Sequence, residues 1–535
     1  MGYYLNSSKI YSLYESEVRK PYFVDKTEML AELITLVEQG NNHICITRPR
    51  RFGKSVMASM VGAFFSRGFD SSCLFNSLKI SGDDKYLAHL NRHDVIYIDF
   101  SEAANISRNF QEFIDSITEI LREDLHEAFP DVKFWERAAV VQDLRRIHEK
   151  TKTSFIFIFD EWDCIFHKKY TTNDDKESYI NFLASLTKGT GYVALSYMTG
   201  VLPIAKYSSG STINNFMEYT MAAQPKYSEF FGFSDDEVDT LYERFLKNEK
   251  EPSVGRDDLR LWYDGYHTAG GTKLYNPRSV VLALTNNHLA SYWTTTGPYS
   301  EISTYIVNDI DGVKKDVAMM VAGEAVLADV EEFAATAMHL STRDEILSAM
   351  VVYGFLNYED GKVHIPNKEL MDEFAKTIRR EKSLGYIYNL ANASGRMLRA
   401  TLDGDTKTME EILQFAHDSE TPLLDYNNET ELTAIVNLVY LAARDSYYVE
   451  RECKAGEGYA DFIFYPERQG DDGLILELKV DDTPEAAIQQ IKDRKYTLKF
   501  QGKMAEKKRH TGRILMVGIG YDRKSKDHHC KVEAL

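Results

Sequence analysis

At 535 residues the chain is too long for one hydrophobic core, and its formal net charge of −19, from 63 Lys+Arg against 82 Asp+Glu, argues against coating a polyanion with its whole surface. A composition of 44% hydrophobic and 27% charged residues is that of a globular protein, and five scattered cysteines with no CxxC give no sign of a disulfide framework or a zinc site. No apolar run reaches the ~20 residues of a membrane span and no signal-peptide core opens the sequence, so no membrane partner and a cytoplasmic location are expected.

In chain order, the stretch 43–47 (HICIT) reads as a short buried strand. It runs into Arg48-Pro49-Arg50-Arg51-Phe52-Gly53-Lys54-Ser55 and then into the helical pattern VMASMVGAFF. Strand, tight loop and helix ending in Gly-Lys-Ser is the arrangement that cradles a phosphate. Gly53 lets the backbone close on the anion, and the helix N-terminus favours negative charge. Lys54 is placed to reach the β- and γ-phosphates of ATP, and Ser55 to ligate Mg²⁺. Arg51 and its neighbour Arg50 are placed either to touch phosphate or to brace the loop. The pattern departs from the general one at Arg48, where glycine is the rule.

A second strand, 155–159 (FIFIF), ends in Asp160-Glu161. Asp160 is expected to hold Mg²⁺ through water and Glu161 to polarise the attacking water. Further strands are expected over 95–98, ending at Asp99, and 192–198, ending at Thr199. Thr199 can sense phosphate, or it can serve, like Asp99 and Asp163, as a strand-end hydrogen-bonding group. Strands alternating with helices predict an open parallel sheet with the ligand at the carboxyl ends of its strands.

The segments PYFVDKTEMLAELI (21–34), ITRPRRFGKSVMASM (46–60), FIFDEWD (157–163), TGVLPIAKYSSG (199–210), YDGY (263–266), YNPRS (275–279) and YWTTTG (292–297) together resemble the bacterial AAA-ATPase-like family. The resemblance extends from the N-terminus to about residue 300. It implies a P-loop ATPase fold without specifying a substrate. In that family the loop commonly reads RPRRFGKS, so Arg48 is not peculiar to this chain.

Residues 236–340 carry helical patterns that suggest a lid. Thr342 and Glu345 then form a capping box at the head of a helix to 352. FLNY and KVHI flank Glu359-Asp360-Gly361 as a hairpin. Helix plus hairpin resembles a winged helix, and its low positive charge favours packing over DNA contact. YDGY and YNP suggest only aromatic packing and turns.

From 426 the order is helix (431–444), three strands (447–452, 459–465, 474–480), helix and strand (514–519). Thr483 caps the second helix and Pro484 takes its first position. Glu477 and Lys479 lie two apart on one strand face. The hairpin turn near 469–470 brings Asp461 almost opposite Glu477. Two carboxylates suit Mg²⁺, with Mn²⁺ as a substitute, to polarise a phosphodiester and lower the pKa of a bound water. Lys479 orients or deprotonates that water. This arrangement resembles the PD-(D/E)XK nuclease domain. That resemblance maps its core onto Asp461, Glu477 and Lys479, adds Glu431 as a further acid, and matches Gln490 and Tyr496 to its following helix. Tyr459 departs from it, since arginine is common there. The His528-His529-Cys530 cluster reads as solvated surface. Between 492 and 531 the chain holds 13 Lys+Arg against four acids, either a solvated face or a groove wall for nucleic acid.

The fold class expected is α/β multidomain: a P-loop ATPase core with a parallel sheet (1–235), a helical lid (236–340), a winged-helix-like middle (341–425) and a C-terminal αβββαβ nuclease-like domain (426–535). The function expected is ATP binding and hydrolysis coupled to Mg²⁺-dependent cleavage of nucleic acid, DNA rather than RNA, in a chain that can self-associate. A role in defence or mobile-element biology rests on analogy. The alternative is a nucleotide-switched module that binds nucleic acid or protein without catalysis.

Overall fold

The computed structural model describes residues 2–204, 213–222, 224–293, 306, 312–330, 340–380, 382, 386–417, 429–455, 458–468, 470–506 and 512–535, with the side chains of 386–387, 429–431, 452–455, 501 and 503–506 outside the description. The chain forms two compact units. The first comprises Met1–Thr296, Asp329–Leu340 and Leu347–Gly361, and the second Gly297–Ala328, Ser341–Ile346 and Lys362–Leu535. No described helix is long and apolar enough to cross a membrane.

The first unit is built on five parallel strands: β1 Asn42–Thr47, β2 Asp94–Asp99, β3 Phe155–Asp160, β4 Val193–Gly200 and β5 Met217–Tyr219. Their order in the sheet is β2-β3-β4-β1-β5. Every residue of β3 and β4 is buried. Near-continuous apolar strands of this kind belong in a parallel sheet covered by helices on both faces. The helix Lys54–Phe65 packs against β3 and the helix Ser8–Val18, in a core that includes Ile10, Leu33, Met60, Phe64 and Ile158. Ile46 of β1 lies between Thr199 and Tyr219. The loop that leaves β1 therefore emerges beside the end of β4, with β3 and its Asp160 one strand further on.

The helices Asp235–Asn248, Arg256–Tyr263 and Pro277–Asn286 close a second core of the same unit around Tyr22, Leu241, Leu259 and Val280. Ser234 and Glu237 box the first of them, and Asn276 caps the third with Pro277 at its first position. Farther on, Glu345 and Thr342 exchange the bonds of the expected capping box at 3.1 and 3.2 Å, heading the helix Arg343–Tyr353. Asp360 and Gly361, both left-handed, turn the chain between the strands Asn357–Glu359 and Lys362–His364.

The second unit carries β6 Tyr447–Ala455, β7 Gly458–Pro466, β8 Gly473–Val480, β9 Ile514–Tyr521 and β10 His528–Ala534, in that order across the sheet. Only β8 and β9 pair in parallel, and the helices Pro484–Asp493 and Tyr496–Glu506 connect them. The preceding helix runs Glu429–Val439 and tightens into a 3₁₀ turn, Leu441–Asp445, so it is shorter than expected. Gly518 of β9 lets the next layer approach: a Cβ there would stand 2.3 Å from the carbonyl oxygen of Pro484. The chain's last strand corrects the reading of the His-His-Cys cluster. His528 and Cys530 are buried and only His529 is exposed, as strand alternation demands.

Candidate nucleotide and metal sites

At the nucleotide site, Gly53 sits at φ 86° with nothing within 4 Å of the position a Cβ would take, so the space on that side of the loop is open. Arg51 at φ 71° and Glu161 at φ 50° are also left-handed, a conformation that costs a non-glycine residue energy and that clusters where ligands are clamped. The ammonium of Lys54 donates to the carbonyls of Arg48 and Pro49, both at 2.9 Å. Burial lowers its pKa to about 8, against the opposing pull of Asp163, Glu161 and Asp160. An anion in the loop would compete for this lysine.

Asp160 is buried and accepts from the Thr199 hydroxyl at 2.5 Å and the Tyr97 hydroxyl at 3.4 Å, with Ser55 also bonding to it. Burial raises its pKa, and the hydroxyls of Thr199 and Ser55 oppose the rise. Ser55, Asp160 and Thr199 are thus one cluster, and they fit the oxygen donor set of a hydrated Mg²⁺. The Glu161 side chain reaches solvent, yet desolvation, then Asp160 and Asp99, raise its pKa. Asp99 caps the helix Phe100–Ile106, and Asp163 accepts from the amides of Val201 and Leu202 at 3.0 and 2.9 Å. Asp99 thus holds the turn out of β2, and Asp163 the turn out of β4.

Sequence reasoning missed how the loop is supported. The indole of Trp293 donates to the Arg50 carbonyl at 3.0 Å, and Tyr266 meets the buried ring of Phe52 edge-on at 5.0 Å. Tyr266 also donates to the Gly354 carbonyl. These are residues of the YWTTTG and YDGY segments. In YNPRS, Tyr275 bonds Asp235, and Arg278 is exposed. Burial, then Arg278 and Arg50, lower the pKa of Arg51, which places three guanidinium groups around the loop.

At the second site, Phe462 pairs with Leu476 across β7 and β8, which sets Asp461 opposite Glu477. Asp461 accepts from the Leu478 amide at 2.7 Å. Gln490 links the site: its side chain donates to Glu477 Oε1 and to the Tyr496 hydroxyl (3.2 Å), and accepts from Lys479 at 2.7 Å. Lys479 lies 3.4 Å from Glu477 Oε1, and Tyr496 donates to the Tyr459 carbonyl at 2.6 Å. Asp461, Glu477, Lys479, Gln490 and Tyr496 therefore converge. The side chain of Glu431 lies outside the described residues.

Burial, then Asp461, raises the Glu477 pKa to about 7, with Lys479 opposing. Its Oε2 is buried without a hydrogen-bond partner. An orphaned carboxylate oxygen facing a second carboxylate fits a hard divalent cation, which Glu477 and Asp461 would hold.

The basic run is largely neutralised where it is described. Lys492 pairs with Glu533, Lys499 with Glu450 and Arg513 with Asp472. The side chains of Lys503, Lys507, Lys508 and Arg509 lie outside the described residues.

A parallel sheet with a phosphate loop and acidic strand ends, followed by a mixed sheet with a two-carboxylate and lysine site, defines an ATPase-like protein with a nuclease-type C-terminal domain. The comparisons agree: residues 12–209 match the family described as Predicted AAA-ATPase, and residues 428–526 match the PD-(D/E)XK nuclease superfamily. A protein of Azotobacter chroococcum mcd 1, "Uncharacterized protein in vnfD 5'region", is 26% identical over 283 residues, 52% of this chain and 51% of that protein. The chain thus spans about half the length of this curated relative. Among solved structures, the Walker-type ATPase PABY2304 of Pyrococcus abyssi is 13% identical with a TM-score of 0.36, over 65% of this chain and 95% of that one. The Aeropyrum pernix ORC2 protein is 12% identical with a TM-score of 0.33, over 64% and 93%.

Proposed function

We propose that the chain binds and hydrolyses ATP with Mg²⁺ and couples that cycle to divalent-metal-dependent cleavage of nucleic acid, DNA rather than RNA. Self-association, a cytoplasmic location, a defence or mobile-element role and the four-part division at 235, 340 and 425 belong to this reading. The observation that carries cleavage is the orphaned Oε2 of Glu477, held opposite Asp461 and beside Lys479. When bound, a divalent ion there would polarise the phosphodiester and acidify a water. The protein's share is orientation. Gln490 fixes Glu477 and Lys479 together, and the Leu478 amide fixes Asp461.

At the other site, Lys54 exchanges its loop carbonyls for phosphate oxygens, and Arg51 and Arg278 stand ready to offset charge on the terminal phosphate. Glu161, its pKa raised, is suited to accept a proton from the attacking water.

The test is plasmid nicking with Mg²⁺ or Mn²⁺, with and without ATP, beside phosphate release. Asp461→Ala, Glu477→Ala and Lys479→Ala are each expected to remove nicking and leave ATP turnover intact. Lys54→Ala is expected to abolish ATP binding, and Glu161→Gln to bind ATP without turnover. Full nicking by all three C-terminal variants overturns the cleavage assignment. ATP turnover in a protein that nicks nothing supports the non-catalytic switch instead.

A further inference from the structure

Arg48 stands where a phosphate loop ordinarily has its first glycine, yet its side chain lies inside the protein, 1% exposed. One guanidinium nitrogen, Nη1, donates to the carbonyls of Thr47 and Tyr219 at 2.8 and 2.7 Å. The group lies over the Phe231 ring, 5.1 Å from its centroid. Nε and Nη2 are buried with no partner, and so is the nearby Tyr197 hydroxyl. Among the described residues no carboxylate pairs with Arg48. Burial lowers its pKa only to about 10, so it remains a cation at neutral pH.

An unpaired buried charge is strongly disfavoured unless something compensates it. The two cations of this loop contrast. Lys54 has Asp163, Glu161 and Asp160 nearby, whereas Arg48 has none of them. The backbone oxygen of Arg48 is itself one of the two acceptors of the Lys54 ammonium. This guanidinium, without a carboxylate partner, therefore hangs from the residue that a bound phosphate would displace from Lys54. In the low-dielectric interior its field reaches across the loop with little screening.

We propose that Arg48 is a built-in positive charge beneath the phosphate loop, one that binds the nucleotide's phosphates through space and grades affinity by phosphate charge. It is a positioning residue that touches no ligand atom. The proposal rests on the nucleotide-binding reading above and adds a selectivity to it: triphosphate over diphosphate over monophosphate, beyond what Lys54 contributes.

The experiment is calorimetry of ATP, ADP and AMP on the full chain, with thermal melts to confirm folding. Arg48→Gln, neutral but able to donate, is expected to bind ATP about tenfold more weakly, ADP less so, and AMP nearly as the wild type. Arg48→Lys, which keeps the charge, is expected to keep the graded order. Gln and wild type alike in ATP affinity overturn the proposal, as does an equal loss for ATP and AMP, which a purely structural arginine would give. Should Arg48→Gln not fold, Arg48→Met makes the same comparison. Should neither fold, loss of the graded order in Arg48→Lys overturns it. A wild type that binds none of the three overturns the nucleotide reading itself, an outcome distinct from a wild type that binds beside an unchanged Gln variant.

Discussion

Glu477 holds its carboxyl where burial and a second carboxylate disfavour the ionised form. Its surroundings favour the proton: burial and Asp461 raise its pKa from the ordinary 4.5 to about 7. The sign of the consequence follows from linkage. A folded pKa above the unfolded one means the native state binds the proton more tightly between those values. That contribution to stability is complete below about pH 4.5 and is lost as pH rises through about 7. The metal-free protein is therefore expected to lose urea resistance between pH 5 and pH 7.5, and Glu477→Gln to flatten that slope. Mg²⁺ added at pH 7.5 is expected to restore the wild type and not the variant, because only the ionised carboxyl gains the ion. Urea midpoints at the two pH values decide it. Parallel slopes in wild type and variant would remove Glu477 as the group responsible.

At the scale of elements, the face of the hairpin that carries the candidate site was readable because strand periodicity is two and the turn fixes register. Those two facts bring Asp461, Glu477 and Lys479 together, and the resemblance to the PD-(D/E)XK domain singles them out as a site. The phosphate loop was likewise readable, since strand, loop and helix are contiguous in sequence. The supports of the loop were not. Trp293 lies 243 residues from Arg50, and nothing local in YWTTTG points to a carbonyl there. β10 escaped for another reason. HHCKVEA is short and polar at alternate positions, and only pairing with β9 turns its alternation into burial. Gln490 and Tyr496 came from resemblance, and the structure supplies their hydrogen bonds. The Trp293 contact has a measurable role. Trp293→Phe keeps the ring packing on Phe355 and removes the donor to Arg50. A lost hydrogen bond of this kind costs about 1 kcal/mol. If that loss falls on the loop conformation that binds phosphate, ATP affinity should drop about fivefold by calorimetry, with the melting temperature little changed. Unchanged affinity would make the contact a local anchor of Trp293 only.

For the whole molecule, the proposed function raises the question of how a chain of net charge −19 would hold a polyanion. At physiological salt, exposed charges act over roughly 8 Å, so the answer must be local to the second unit. Among the described residues of the basic run there, Lys499 pairs with Glu450 at 3.0 Å and Arg513 with Asp472 at 2.5 Å. Half-exposed pairs of this kind contribute about 1 kcal/mol or less to stability. They nevertheless keep their cations from phosphate, because each phosphate contact must first break the pair. Glu450→Gln with Asp472→Asn keeps the shape of both acceptors and removes the acidic partners of Lys499 and Arg513. This double variant is expected to bind duplex DNA more tightly. Its plot of log K against log salt should steepen by roughly 0.9 for each of these two cations that meets a phosphate. Removing two acids also changes the net charge, so a control is needed. Glu119→Gln with Glu136→Gln makes the same change on exposed residues of the first unit and should leave the slope where it was. A salt series on wild type and both double variants separates local from global charge. Equal slopes in all three would show that Lys499 and Arg513 face no nucleic acid, and would send the search to the segment 503–509.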